Sequence, residues 1–375
     1  MSANSSMDLT RRKFLKGTAF AGASLLLAQS DLTFAGVAKS PLTLKVAGYP
    51  YDHVKAFMTG DAEVEGCETE FEVDKIGNLN NHVFSGPQTR GVTEIGLAPY
   101  MLAYANDNFR AYSLIPVFPL RTFRHKSIFV HADAGIEHPS QLKGKRVATP
   151  GYSSTSLQWI RGILQDEYDV RAEDIEWVVS AKDSSAALSG TVSKNENVFP
   201  ERLSVSVGPS GKDESELLID RDVDALFHAI EPRAFVEGNP KIQRLFSNVR
   251  ATEQDYFKRT GIFPIMHAVA IRNDLVEKHP WLPKAVFDAY SNSKTMAYSE
   301  MQKSWFFKTL PWYAQELEAT KSLMGNNFFP YGIEPNRKTL ETLFRYSHQQ
   351  GLCSRELTIE ELFEPSSLGL VESQS

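Results

Sequence analysis

From Ile136 the chain runs Ile-Glu-His-Pro-Ser-Gln-Leu-Lys-Gly-Lys-Arg-Val-Ala to Ala148, and from Gly151 it runs Gly-Tyr-Ser-Ser-Thr-Ser-Leu-Gln-Trp-Ile-Arg-Gly-Ile-Leu to Leu164. The first part reads as a short helical turn, a stop at Gly144 and a strand through Val147. The second is a hydroxyl-rich loop feeding a stretch whose apolar residues fall at helical spacing. Strand, loop and helix in that order make half of a βαβ unit, which predicts a mainly parallel sheet covered by helices. One of the hydroxyl residues 153–156 is expected to cap the helix. Free backbone N–H groups and the positive helix end make such a loop a natural anion site, although capping alone accounts for its composition.

The pattern repeats outward. Residues 42–47 alternate and stop at Gly48, and residues 71–73, 93–98, 112–118 and 127–131 follow as strand candidates. Downstream, residues 175–179 and 225–229 read as strands and 217–223 as a short helix, while His267 leads into the apolar run 268–271. Residues 184–211 are polar and irregular, a long loop or insertion. From Pro283 onward the apolar residues take helical spacing. A length of 375 residues, against roughly 100–200 per domain, predicts two domains. Two α/β units with ligand-type loops between them predict two lobes enclosing a cleft. The net charge is −6 and no Lys/Arg block is long enough to build a basic face, which argues against sequence-blind nucleic-acid binding.

Residues 10–17 read Thr-Arg-Arg-Lys-Phe-Leu-Lys-Gly, and an apolar stretch over 18–28 and small residues at Ala35 and Ala38 follow. That order matches a twin-arginine export signal over residues 1–38, cleaved at Ala35 or Ala38. The apolar run is shorter than the ~20 residues that span a bilayer. The expectation is a soluble periplasmic protein delivered folded by the twin-arginine machinery. Cys67 and Cys353 show no metal-type spacing. Unpaired thiols are the preferred reading, since pairing requires Cα atoms within about 7 Å.

At Val117-Phe118-Pro119-Leu120-Arg121-Thr122-Phe123-Arg124-His125-Lys126-Ser127 the chain resembles the 4,5-dihydroxyphthalate decarboxylase-like family, which shares the type II periplasmic-binding-protein fold. The segments Leu142-Lys143-Gly144-Lys145-Arg146-Val147, Arg259-Thr260-Gly261-Ile262-Phe263-Pro264-Ile265-Met266-His267 and His279-Pro280-Trp281 are also similar, as is the helix following Trp159. The resemblance implies an α/β fold of two lobes with central mixed sheets and a hinged cleft. The first lobe would comprise 42–130 plus 231–375, and the inserted second lobe 131–230. The chain departs from the family's opening Gly-Asp-Tyr-Asp with Gly48-Tyr49-Pro50-Tyr51-Asp52, and from Glu-Met-Ser with Glu94-Ile95-Gly96.

Arg121, Arg124, His125 and Lys126 set three fixed positive charges and a titratable ring within six positions. An arginine fork matches a carboxylate bidentately, whereas a solvated basic turn is the ordinary fate of such a run. In an extended segment, Arg124 and Lys126 would face one way and His125 the other. Ser153, Ser154 and Thr155 are candidates through the helix entrance, and the adjacent Tyr152 could stack on an aromatic ring. Tyr49 and Asp52 follow the first strand, where the family fold places ligand contacts, and Tyr100 lies beside the departed segment. Arg233 follows Glu231-Pro232 at the expected second crossover, where it could face the cleft or pair with Glu231. His267 is either a satisfied core histidine or a cleft residue. No metal or nucleotide motif occurs, so no cofactor is implied.

Export and the two departures favour a solute-binding protein that takes a small, aromatic carboxylate in the cleft and delivers it to membrane transporter subunits. The alternative is a cofactor-independent decarboxylase with His125 or His267 as the acid and Arg124 holding the retained carboxylate. A thiamine-precursor-type protein of the same fold is a third option.

Overall fold

The computed structural model describes residues 41–303 and 305–373, so the expected export signal at 1–38 lies outside the described residues. Eleven strands are found among them: β1 (Leu42–Gly48), β2 (Cys67–Val73), β3 (Val92–Gly96), β4 (Tyr112–Ile115), β5 (Ile128–His131), β6 (Arg146–Thr149), β7 (Glu176–Val179), β8 (Val205–Val207), β9 (Ala225–Phe227), β10 (Ile242–Arg244) and β11 (His267–Arg272). They form a five-stranded sheet in the order β2-β1-β3-β11-β4 and a six-stranded sheet in the order β10-β5-β9-β6-β7-β8.

Each sheet is parallel where helices connect successive strands and antiparallel where the chain changes sheet. β1 runs parallel to β2 and β3, whereas β11 runs antiparallel to β3 and β4. In the second sheet β6, β7, β8 and β9 are joined by parallel pairings, and β5 is antiparallel to both β9 and β10. The chain leaves the first sheet after β4 and returns to it at β11. This is a two-lobed α/β architecture with mixed sheets. The strands of the second sheet extend from Ile128 to Arg244, beyond the 131–230 expected for the inserted lobe at both ends.

Patterning explains the parts read correctly. β3 is buried along its whole length, as a central strand between two neighbours should be. The helix Thr155–Tyr168 starts where the hydroxyl loop ends, with Ser154 as its N-cap accepting from Leu157 N at 3.4 Å. The two edge strands β8 and β10 are three residues each and mostly unburied, so no buried apolar run marks them, whereas the equally short central β9 is buried throughout.

One apolar core runs through both sheets. It joins Ile95, Ala268 and Ala270 of the first sheet to Val130, Val147, Trp177 and Phe227 of the second. The helix Thr155–Tyr168 ties them. Trp159, fully buried, donates its indole N–H to Ile265 O at 2.9 Å, and Gln158 donates to Leu343 O at 2.9 Å. The ring of Tyr346, on the helix Arg337–Gln349, lies directly over Gly162, leaving no room for a Cβ there. Arg161, on this helix, is buried. Its guanidinium stacks 3.5 Å over the Tyr152 ring and donates to Tyr152 O and Gln350 Oε1.

Residues 184–197 form a strap over the gap between the sheets, fastened to the opposite side at the helix Ile76–Phe84. Lys75 Nζ donates to Ala187 O at 2.5 Å, Asn81 donates to Thr191 O at 2.7 Å, and Thr191 N donates to Asn78 Oδ1 at 3.2 Å. A Cβ at Gly77 would collide with Thr191 O, so glycine sets how closely the strap docks. Both cysteines are free, Cys353 buried and Cys67 half-buried on β2. No helix among the described residues is long and apolar enough to cross a membrane.

Candidate functional site

A cleft of about 490 Å³ opens between the sheets beneath the strap, within the ~300–1,000 Å³ usual for small-molecule sites. Its first wall is built on β3 and β11. The register pairs His267 with Gly96 and Val269 with Glu94, which sets Glu94 and His267 on the same face as diagonal neighbours. His267 Nδ1 lies 2.5 Å from Glu94 Oε1. The same oxygen accepts from Tyr51 Oη at 2.7 Å, and Oε2 accepts from Tyr49 N at 2.9 Å. Glu94 is thus a buried carboxylate with both oxygens engaged. Gly48 leaves it room, since a Cβ there would lie 3.1 Å from Oε2. With Nδ1 engaged, Nε2 is the nitrogen that His267 presents to the cleft it lines. Tyr49 lies alongside, its ring 6.3 Å from that of His267 and its hydroxyl accepting from Ile76 N at 2.8 Å. Burial, then the Glu94 charge, hold the Tyr51 hydroxyl well above its ordinary range, so it stays protonated and donating.

Arg124 reaches the cleft from the connection between β4 and β5. It is buried, with Nη1 donating to Ala229 O at 2.6 Å and Nε directed at Met266 Sδ at 3.2 Å. Among the described residues no carboxylate lies within ion-pair distance of it; burial lowers its pKa to about 9 against the pull of the Glu253 and Glu231 charges, and Glu231 lines the same cleft. A buried cation with no carboxylate bonded to it, beside an open cleft, is a place for an anion. Lys126 lines the cleft beside it and His125 does not, but residues 125–127 form a 3-10 turn rather than the extended segment that the expected alternation requires.

The second wall comes from the second sheet. Ser154 and Thr155 line it at the helix entrance, with Thr155 Oγ1 accepting from Ala98 N at 3.0 Å. Behind it Asp183, Glu214 and His228 meet. His228 Nε2 lies 3.1 Å from Asp183 Oδ1 and 3.5 Å from Glu214 Oε1, and its Nδ1 lies 2.7 Å from Ile230 O. Burial opposes the His228 charge, but the bond to Asp183 and the Glu214 charge outweigh it and raise its pKa. The three side chains are also close enough to share a metal ion, with ligand atoms within 4.8 Å of one another.

Of the residues expected from sequence, Tyr49, Arg124, Ser154, Thr155 and His267 are brought together around the cleft. The others are not. Arg121 is buried in the first lobe, bonded to Asn336 Oδ1, Pro330 O and Phe263 O. His125 packs between Phe246 and Tyr256, and burial, then Arg259, lower its pKa to about 4, so it is neutral and serves the core. Tyr100 is a core residue donating to Tyr112 O, and Tyr152 is sealed beneath Arg161. Ser153 is buried and donates to Asn195 O at the strap's far end. Asp52 is exposed beside His53. Arg233 pairs on the surface with Asp213, Glu216 and Glu237, and Glu231 pairs with Arg244 instead. Glu94, Asp183, Glu214 and His228 also belong to the site, and no motif in the sequence marks them. For Glu94 a signal exists, because an acid in the apolar run 92–98 must find a partner.

No family model matches the chain. It is 33% identical over 330 residues to the 4,5-dihydroxyphthalate decarboxylase of Comamonas testosteroni, across 88% of this chain and 98% of that one. It is 27% identical over 217 residues to the 4,5-dihydroxyphthalate decarboxylase of Pseudomonas putida, across 58% of this chain and 82% of that one. Among solved structures it is similar to the periplasmic sulfonate-binding protein SsuA from Methylobacillus flagellatus, with a TM-score of 0.56 and 15% identity over 88% of this chain and 93% of that one. The aliphatic sulphonate binding protein SsuA from Escherichia coli gives a TM-score of 0.52 at 13% identity, over 87% of this chain and 92% of that one. The two SsuA likenesses establish the periplasmic-binding-protein fold.

Proposed function

The chain belongs to the 4,5-dihydroxyphthalate decarboxylase family, and from that premise we propose that it removes carbon dioxide from a small aromatic carboxylic acid held in the cleft. The observation that carries this is the Glu94–His267 pair, opening on the same cleft as Arg124, which no carboxylate bonds. Sequence alone favours solute capture, which needs a cleft and a cation but no acid–base pair. The balance shifts because the cleft contains such a pair. The continuous core adds to this, since walls joined by apolar packing suit a fixed catalytic geometry more than wide opening.

Arg124 would hold the carboxylate that is retained. Glu94 orients His267 through Nδ1, leaving Nε2 to deliver a proton to the ring carbon that bears the departing carboxylate. The new C–H bond forms, the ring-to-carboxylate C–C bond breaks, and its electron pair restores the aromatic ring as CO2 leaves. Ile76, Pro99, Leu120 and Leu157 add apolar lining to the cleft, and apolar lining does not stabilise a departing charge.

A second function, capture of a small carboxylate outside the cytoplasm for a transporter, draws on the twin-arginine pattern at residues 10–17. Incubation of the purified protein with 4,5-dihydroxyphthalate separates the two. Decarboxylation yields one CO2 per molecule of 3,4-dihydroxybenzoate over many turnovers. Saturable binding with no CO2 leaves capture as the function.

Arg124→Ala is expected to weaken binding of the same acid about 10- to 150-fold, the loss of ~1.5–3 kcal/mol for a charged hydrogen bond. Titration calorimetry measures it, and unchanged affinity would place the anion elsewhere.

A further inference from the structure

Asp183, His228 and Glu214 stand on the wall opposite Glu94 and His267, and the proton delivery described above leaves them unused. Asp183 Oδ1 is saturated, accepting from Ser185 N at 2.7 Å, Ser185 Oγ at 2.9 Å and His228 Nε2 at 3.1 Å. Its Oδ2 takes no hydrogen bond among the described residues and is not sealed from solvent. Three donors therefore fix the carboxylate and leave one oxygen for a ligand in the cleft that Asp183 lines. Glu214 is fully buried behind His228 and is held by Ser184 Oγ, so the imidazole is backed by a second acid. His228 bonds at both nitrogens, which locks the ring and makes it a support for Asp183 rather than a free proton carrier.

An ionised carboxylate only accepts hydrogen bonds, and it repels another carboxylate. The cleft offers both kinds of group: Arg124 and Lys126 suit the acid end of a ligand, and of the lining acids Asp183, Glu196 and Glu231 it is Asp183 whose carboxylate is fixed by three donors with one oxygen left for a hydroxyl donor. We infer that Asp183 accepts the hydrogen bond of a ring hydroxyl on the substrate, with His228 and Glu214 as its positioning residues, so that the cleft selects hydroxylated aromatic acids over unsubstituted ones.

This rests on the cleft holding an aromatic acid. It also supplies the electronic half of the reaction. When the hydroxyl is para to the departing carboxylate, Asp183 Oδ2 takes the hydroxyl proton as the ring carbon takes one from His267. The O–H bond breaks, the C–H bond forms and the ring becomes a dienone. Loss of CO2 then returns the electron pair to the ring, and Asp183 gives its proton back to the phenolate oxygen.

The test is equilibrium preference, which needs no turnover. Calorimetry of the purified protein with 4,5-dihydroxyphthalate and with phthalate should show the hydroxylated acid bound about 10- to 150-fold more tightly, as for a hydrogen bond to a charged group. Asp183→Asn should erase most of that preference while leaving phthalate affinity in place, and His228→Gln should do so in part. In the unaltered protein 4,5-dimethoxyphthalate, which has no hydroxyl to donate, should bind no better than phthalate, so the inference does not depend on any variant folding. Dialysis against a chelator should leave the preference unchanged. Equal affinity for the two acids, no affinity for either, parallel loss of both in Asp183→Asn, or loss of preference on chelation overturns the assignment. Absence of CO2 release with the preference intact overturns the decarboxylase function alone.

Discussion

If the proposed decarboxylation holds, His267→Asn is expected to lower the rate of CO2 release by about 10²–10⁴-fold, the usual worth of a positioned acid–base group, while substrate binding persists. Asparagine can still hydrogen-bond to Glu94, so the buried carboxylate keeps a partner and the β3–β11 pairing is left alone. What disappears is a group able to carry a proton to the cleft. Glu94→Gln should fall in the same direction, because an amide neither supports an imidazolium nor fixes its tautomer as a carboxylate does. Single-turnover rates read beside calorimetric affinities separate the two effects. If CO2 release in His267→Asn matches the parent while Asp183→Asn abolishes it, the proton comes from the second wall and the roles of the two walls exchange.

Trp159→Ala destabilises the fold by about 3–5 kcal/mol, the range for deleting a large buried aromatic. The indole sits at the junction of the two sheets, packs edge-on against Tyr346 with ring centroids 5.5 Å apart, and satisfies Ile265 O. Its removal leaves both a cavity and an unpaired carbonyl, and the segment that loses its bond lies two residues before His267. Urea titration should show the midpoint falling with the slope retained. A loss below about 1 kcal/mol, the average for any substitution, would mean that the sheets are held together elsewhere. Activity measured well below the transition should fall too, because the wall carrying His267 is steadied through Ile265.

The α/β alternation was legible because strand and helix periods are local properties, readable from a few residues. Residues 145–164 gave strand, capped loop and helix in the order found. Strands β8 and β10 escaped because they are short edge strands with few buried residues, unlike the equally short but fully buried β9, and because their pairing is decided by a neighbour far along the chain. In the site the sequence identified residue types better than directions. Arg121, Arg124 and His125 share one basic run, yet only Arg124 reaches the cleft, because the connection between the sheets twists and buries the other two in separate places. Tyr152, expected as a stacking platform, and Tyr100, expected at the cleft, are both core residues, since a large aromatic gains more from full burial than from an open wall. Asp183, Glu214 and His228 lie on three different elements of one lobe, and only folding makes them neighbours.

The strap over the cleft has a consequence for how this protein can vary. At residues 187 and 191 the partner helix grips main-chain oxygens and an amide, never a side chain. The clasp is therefore blind to which amino acids occupy those two places, and drift there costs it little. All the discrimination falls on the receiving side, where Lys75, Asn78, Gly77 and Asn81 must keep both their reach and their thinness. A covering segment can thus be re-lettered, and the entrance it shades re-tailored to new guests, while the fastening beneath it stays the same.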